Sequence, residues 1–182
     1  MMSPASPLSF LVDARQLPKK GLSVVIEADA EQRARLADIH GVEAVEELRA
    51  QLTVRPWRAG GAEVNGRVGA RIIQTCVVTL ASLTSEIDAP VCALFVPEHS
   101  PLAKPACDRE GELVLDPEGE DLPEVFAGGQ IDIGALAEEF FGLAIDPYPK
   151  APDAALSLPA NEAEENESPF AFLRGLVNKS RA

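Results

Sequence analysis

Arg49, Arg55, Arg67 and Arg71, with Trp57 among them, are the residues of this 182-residue chain whose types and spacing could do chemistry together. Guanidinium groups fork onto phosphate oxygens and an indole stacks on an unpaired base, so the chemistry on offer is non-covalent recognition of an anionic polymer. Groups that make or break bonds are scattered instead. His40 falls where a helix should end, as a favourable charge there, and His99 lies among prolines with no Cys or His at ligand spacing. Glu138 and Glu139 are adjacent on a predicted helix, point different ways, and cannot both reach one substrate. Cys76, Cys92 and Cys107 form an odd set without a CxxC pair, which is neither a disulfide framework nor a zinc site and reads as buried free thiols. No P-loop, Rossmann fingerprint or nucleophile elbow occurs in the sequence.

Charge is distributed unevenly along the chain. The total is −13, yet residues 49–71 carry five arginines against Glu63, whereas residues 72–167 carry three Lys+Arg against twenty Asp+Glu. A basic block immediately upstream of a strongly acidic one implies two surfaces of opposite sign. Hydrophobic content of 46% with 25% charged residues suits a soluble globular protein. No run of about 18 apolar residues is present, and the first residues lack the pattern of a secretory signal, so a cytoplasmic location is expected.

The arginines must be positioned by β-strands. In Val64–Ile72, Val64, Gly66, Val68, Ala70 and Ile72 share one face of an extended chain, and Asn65, Arg67, Gly69 and Arg71 share the other. Continued alternation would put Gln74, Cys76, Val78 and Leu80 on the first face. Upstream, Leu48, Ala50, Leu52 and Val54 alternate with Arg49, Gln51, Thr53, Arg55 and Trp57. A turn at Gly60–Gly61 makes the two runs a hairpin. A three-residue loop there pairs Arg55 with Arg67 and Gln51 with Arg71, placing a cationic patch with Trp57 on one sheet face, open to an anionic partner or neutralised by the chain's own carboxylates; a two-residue loop would turn Arg55 toward the core, which is costly for an unpaired charge. Ile87–Val96 is apolar on both faces and ends at Pro97, as expected of a central strand, with Ser82–Glu86 as the preceding turn.

Shorter signals complete the domain. Leu8–Val12 and Leu22–Glu27 read as strands. Asp29 with Gln32 forms a capping box for a helix to about His40, with Leu36 and Ile39 buried and Gly41 as its left-handed stop. Val42–Leu48 reads as one more helical turn. Residues 98–129 are an acidic, Pro- and Gly-rich excursion with one short strand at Leu113–Leu115. Asp132 caps a helix over Ile133–Leu143 whose apolar stripe is Ile133, Leu136, Ala137, Phe140 and Phe141. The organisation expected is α+β: one domain over 1–150, built on a mainly antiparallel, twisted or barrel-like sheet with two or three helices packed on it; a disordered acidic linker over 151–167; and a tethered amphipathic helix over 168–182. In that last helix Pro169, Phe170, Leu173 and Leu176 are candidate partner-docking residues.

These residues resemble the bacterial YceD family of large ribosomal RNA subunit accumulation proteins. The likeness rests on Gly66-x-Val68-x-Ala70, Cys76-x-x-Thr79-Leu80, the Ile87–Pro97 run ending Leu94-Phe95-Val96-Pro97, Ile131-Asp132-Ile133-Gly134, Glu139, Leu143, Asp146-Pro147-Tyr148-Pro149-Lys150, and Ser168-Pro169-Phe170-Ala171-x-Leu173-x-x-Leu176. It extends over roughly residues 8–178. Many relatives carry a second cysteine where Thr79 stands, and asparagine where Ser168 stands. The first departure removes any redox or metal role that a cysteine pair would suggest. The resemblance implies a non-enzymatic, cofactor-free factor supporting the synthesis, processing or stability of 23S rRNA. Its direct partner is then ribosomal RNA, touched by Arg49, Arg55, Trp57, Arg67 and Arg71, or a basic ribosomal protein shielded by the acidic region, or both. An acidic protein-interaction module and an unrecognised enzyme acting on RNA or a nucleotide stand as alternatives.

Overall fold

The computed structural model describes residues 6–103 and 122–154. A five-stranded open sheet carries the fold, in the order β2 (Leu22–Glu27), β3 (Ala44–Trp57), β4 (Gly61–Thr75), β5 (Ser82–Pro97) and β6 (Glu124–Phe126). All neighbours are antiparallel except β5 and β6, which pair in parallel over Phe95–Pro97. The barrel alternative is not realised. A two-stranded ribbon of β1 (Leu11–Asp13) and β7 (Gln130–Asp132) lies apart from the sheet, and two helices, α1 (Ala30–His40) and α2 (Ile133–Ala144), complete the described elements.

Alternation along β3 and β4 builds the core. Leu48, Ala50, Leu52 and Val54 are buried with Val64, Val68, Ala70 and Ile72, and α1 and α2 cover that face with Leu36, Ala37, Ile133, Leu136, Ala137 and Phe141. A fully buried Leu or Val contributes roughly 1.5–3 kcal/mol, so these paired rows outweigh any surface ion pair in the molecule. Val45 is also buried although it breaks the even-numbered pattern. The pairing register shifts between Val45 and Glu47, and this bulge returns Val45 to the core side. Val42–Leu48 does not continue the helix: left-handed Gly41 ends it, and from Ala44 onward the chain is strand.

Helix boundaries follow their caps. Asp29 accepts from the Gln32 amide at 2.8 Å and the Gln32 side chain accepts from the Asp29 amide at 2.9 Å. Gly41 stops α1 at φ 66°. Ile39, expected inside, is 54% exposed, and Ala37 takes the buried position beside Leu36. On α2, Phe140 is only partly buried, while Phe141 is fully buried.

One sequence expectation fails at β5. The connection after β4 is Cys76–Ala81, closed by Cys76 N–H donating to the Ala81 carbonyl at 2.8 Å, and Ser82–Glu86 is strand. Val78 and Leu80 therefore leave the alternation, and Leu80 adopts φ 59° in the turn. β5 stands between β4 and β6 in the sheet order, as expected of an inner strand, but β6 covers it only over Phe95–Pro97, and among the described residues Ser82–Leu94 pairs with β4 alone. Pro90, which has no amide hydrogen, falls in the part of β5 that has one described ladder partner. The expected strand at Leu113–Leu115, Cys107, part of the acidic linker and the docking residues Pro169, Phe170, Leu173 and Leu176 lie outside the described residues.

Asp132 ties the N-terminal segment to α2. Its carboxylate accepts from the amides of Gly134 (3.1 Å), Ala135 (3.0 Å) and Phe10 (2.8 Å) and from the Ser9 hydroxyl (2.6 Å). Burial pushes its pKa up, but the combined hydrogen bonds outweigh burial and hold it below the ordinary value. A depressed carboxylate stabilises the folded state above its unfolded pKa and loses that contribution as pH falls. Asp132→Ala is expected to lower unfolding free energy by about 1–2 kcal/mol at neutral pH. Denaturant titration checks this, with the gap to the parent narrowing below the ordinary value of 3.8; coincident midpoints at neutral pH contradict it.

Candidate functional site

The face of the sheet opposite the helices carries all five predicted recognition residues. Arg49, Arg55, Arg67 and Arg71 are exposed and Trp57 is half-buried. Their cross-strand partners differ from the expectation: Arg55 lies opposite Glu63, Gln51 opposite Arg67, Glu47 opposite Arg71, and Arg49 opposite Gly69. The loop has three residues as expected, but they are Arg58–Gly60, with Ala59 at φ 53° and Gly60 at φ 76°. Gly61 is a strand residue, glycine because an added Cβ would lie 2.2 Å from the Phe95 carbonyl oxygen. Moving the loop two residues upstream shifts every pair by four positions, an even number, so the arginines keep their face and lose their arginine neighbours.

Carboxylates fill the vacated pairings. Arg67 forks onto Asp88 through Nε at 2.8 Å and Nη2 at 2.7 Å, which raises the guanidinium pKa above its ordinary value. Arg49 Nε lies 3.4 Å from Glu27, and Arg71 Nη2 lies 3.5 Å from Glu86. The cationic patch is thus neutralised by the chain's own carboxylates into a lattice of alternating charge. At its centre is an open depression of about 590 Å³ lined by Arg49, Arg67, Arg71, Glu47, Glu86 and Asp88, with Gly69 in its lining. A Cβ on Gly69 would meet nothing closer than 3.8 Å, so backbone packing does not demand glycine there. Of the acidic members, Glu86 lies in the Ser82–Glu86 stretch expected as a turn and Glu47 in the Val42–Leu48 stretch expected as helical, while Asp88 lies within the expected Ile87–Val96 strand. Starting the strand at Ser82 adds Glu86 to the face that Asp88 already shares by simple alternation.

Arg55 and Trp57 sit apart from this lattice, at the hairpin end of β3. There Arg58, which was not among the predicted contacts, places its guanidinium carbon 5.7 Å from the Trp57 ring centroid. The helix side offers less. His40 meets Phe141 edge to face at 5.1 Å, and its Nε2 is 3.4 Å from Glu138, too long for a well-formed hydrogen bond. Glu138 also accepts from the Ser6 hydroxyl, while Glu139 is exposed. Among the described residues, no three His, Cys, Asp or Glu side chains gather as a metal-binding set.

The cysteines divide. Cys92 is exposed on β5, against the expectation of a buried thiol, whereas Cys76 is fully buried at the β4–β5 turn. Cys76 sulfur accepts from the Ala151 amide at 3.4 Å and the Thr79 amide at 3.5 Å. The Thr79 hydroxyl first, then these amides, lower its pKa from 9.0 to about 6. This position was assigned no chemistry in the sequence, because its donors include Ala151, distant along the chain. A thiol whose folded pKa is depressed stabilises the fold increasingly as pH rises from the folded value to the unfolded one. The melting temperature is therefore expected to gain a component between about pH 6 and pH 9 that Cys76→Ser lacks. Thermal melts of both proteins across that range test this; parallel curves contradict it.

No curated protein and no solved structure matches the chain. The profile of the family described as large ribosomal RNA subunit accumulation protein YceD matches residues 64–176. That span holds most of β4, with β5 and α2, hence the Cys76 turn, Arg67 and Arg71 of the arginine face, and the Asp132 cap. With more than half of its length matched in this way, the chain belongs to the YceD family.

Proposed function

We propose that the chain is a non-enzymatic, cytoplasmic factor in large-subunit biogenesis, supporting the synthesis, processing or stability of 23S rRNA by holding a basic ribosomal protein. Family membership supports the ribosomal setting. The observation that favours a protein partner is the balanced charge around Gly69: three guanidinium groups and three carboxylates line one open depression. A phosphodiester backbone presents only negative charge and would have to displace Glu27, Glu86 and Asp88 from the arginines they contact. A basic polypeptide brings ammonium and guanidinium groups to those carboxylates, and its backbone and acidic residues to the arginines. Complementarity of this kind sets orientation and encounter rate more than raw affinity. The overall charge of −13 acts in the same direction, attracting a cationic protein. The absence of side chain beyond hydrogen at Gly69 leaves room for a partner backbone to lie against the sheet.

Recovery of the tagged full chain from cells after exhaustive nuclease treatment tests this reading. A basic large-subunit protein is expected to remain bound, and the double reversal Glu86→Lys with Asp88→Lys is expected to reduce its recovery about tenfold or more, since both sites are exposed and bear no core load. Retention of only RNA-bridged proteins, all lost to nuclease, contradicts the assignment. Measurable turnover of RNA or a nucleotide by the purified chain would replace it with an enzymatic one.

A further inference from the structure

We propose that one corner of the sheet, formed by Lys19, Lys20, Arg55, Arg58 and Trp57, is a docking surface for single-stranded RNA. The inference deepens the ribosomal role proposed above and rests on it, but it uses a different surface from the Gly69 depression. Sequence separates these residues into two groups, and the fold unites them. Leu22 pairs with Val54, so the chain entering β2 meets β3 at Arg55. That entry is a tight turn in which Gly21 N–H donates to the Pro18 carbonyl at 2.8 Å, leaving Lys19 and Lys20 exposed at its two central positions. Gly21 has φ +88°, and an added Cβ would stand 2.8 Å from Arg55 Cγ: the aliphatic stem of Arg55 lies across the lysine turn.

Two residues further along the same face, about 7 Å away at strand rise, is Trp57. One edge of its ring rests on the hairpin backbone, 3.3 Å from where a Gly61 Cβ would be, and the Arg58 guanidinium lies 5.7 Å from its centroid. None of the four cations is within 4.0 Å of a carboxylate among the described residues, in contrast to Arg49, Arg67 and Arg71. Among the described residues the opposing charges are Glu63, opposite Arg55 in register, and Glu98, which follows Pro97, whose ring would lie 3.8 Å from a Cβ added at Gly60. Cations outnumber acids here although the whole chain is strongly acidic. Phosphates find unoccupied ammonium and guanidinium groups, and an unpaired base extends the stack begun by indole and guanidinium. Paired bases offer no free face for that stack, so single strands are selected.

Trp57 is the sole tryptophan and reports on the corner directly. The full chain is titrated with a uridine oligonucleotide of about a dozen nucleotides, and indole fluorescence is followed at several salt concentrations. Quenching is expected. The variant K19A/K20A/R55A/R58A should weaken binding at least about tenfold and flatten the log–log salt slope by about two to three. Variant R49A/R67A/R71A should stay within about twofold of the parent, and Trp57→Ala, followed by retention on immobilised oligonucleotide, should lose about tenfold. No quenching, parent-like binding by the corner variant, or loss confined to the R49A/R67A/R71A variant overturns the inference. In cells lacking the chain, full restoration of 23S rRNA by the corner variant would remove the corner and leave the ribosomal role standing. Unchanged 23S rRNA after deletion of the whole chain would remove that role itself.

Discussion

The register between β3 and β4 governs the rest of this structure. Side chains on a strand alternate with a period of two, so a slip of one residue would carry Leu48, Ala50, Leu52 and Val54 into water and Arg49, Gln51 and Arg55 into the core. Burial of the aliphatic rows is worth many times what any exposed ion pair contributes, and that asymmetry enforces the register. Everything functional inherits it. The helices take one face because the aliphatic rows are there, and the other face is left with charge and no covering element among the described residues.

Charge on that face is arranged as pairs and not as a field. Glu27, Glu86 and Asp88 come from the strands on either side of the β3–β4 hairpin, each close to one arginine. Exposed pairs of this type add little stability, so stability alone gives no reason for so many of them in one place. Their effect is to hold guanidinium planes in defined positions and to remove the net positive potential that phosphate would require. The cations left outside the pairs collect at the hairpin end, where the lysine turn before β2 comes alongside Arg55. Two surfaces with different electrostatics therefore share one sheet.

Much of this was legible in the sequence, for local reasons. The Asp29–Gln32 capping box, the left-handed Gly41 and the Asp132 cap each depend on residues within a few positions of one another, and each stands as expected. The two faces of β3 and β4 were legible because alternation is local as well. Partner identity was not, because it depends on where a loop closes. Gly60–Gly61 carried a turn signal, yet Gly61 is glycine on account of the Phe95 carbonyl on the neighbouring strand, a contact that only the assembled sheet reveals. The start of β5 was hidden for a related cause: Ser82–Glu86 is polar like a turn, as the exposed end of a strand also is. The nest of donors around Cys76 and the meeting of Lys19–Lys20 with Arg55 join segments far apart in the chain, beyond the reach of any local pattern.

The central claim is that the chain acts by adhesion through the sheet face that its helices leave bare. Mapping crosslinked positions on the chain after zero-length crosslinking in large-subunit precursor fractions tests this most directly. Contacts are expected at the outward residues of β3, β4 and β5, from Glu47 to Trp57, Glu63 to Arg71 and Glu86 to Cys92, with the lysine turn beside them. Crosslinks confined to the outer surfaces of α1 and α2, with that face untouched, would contradict it.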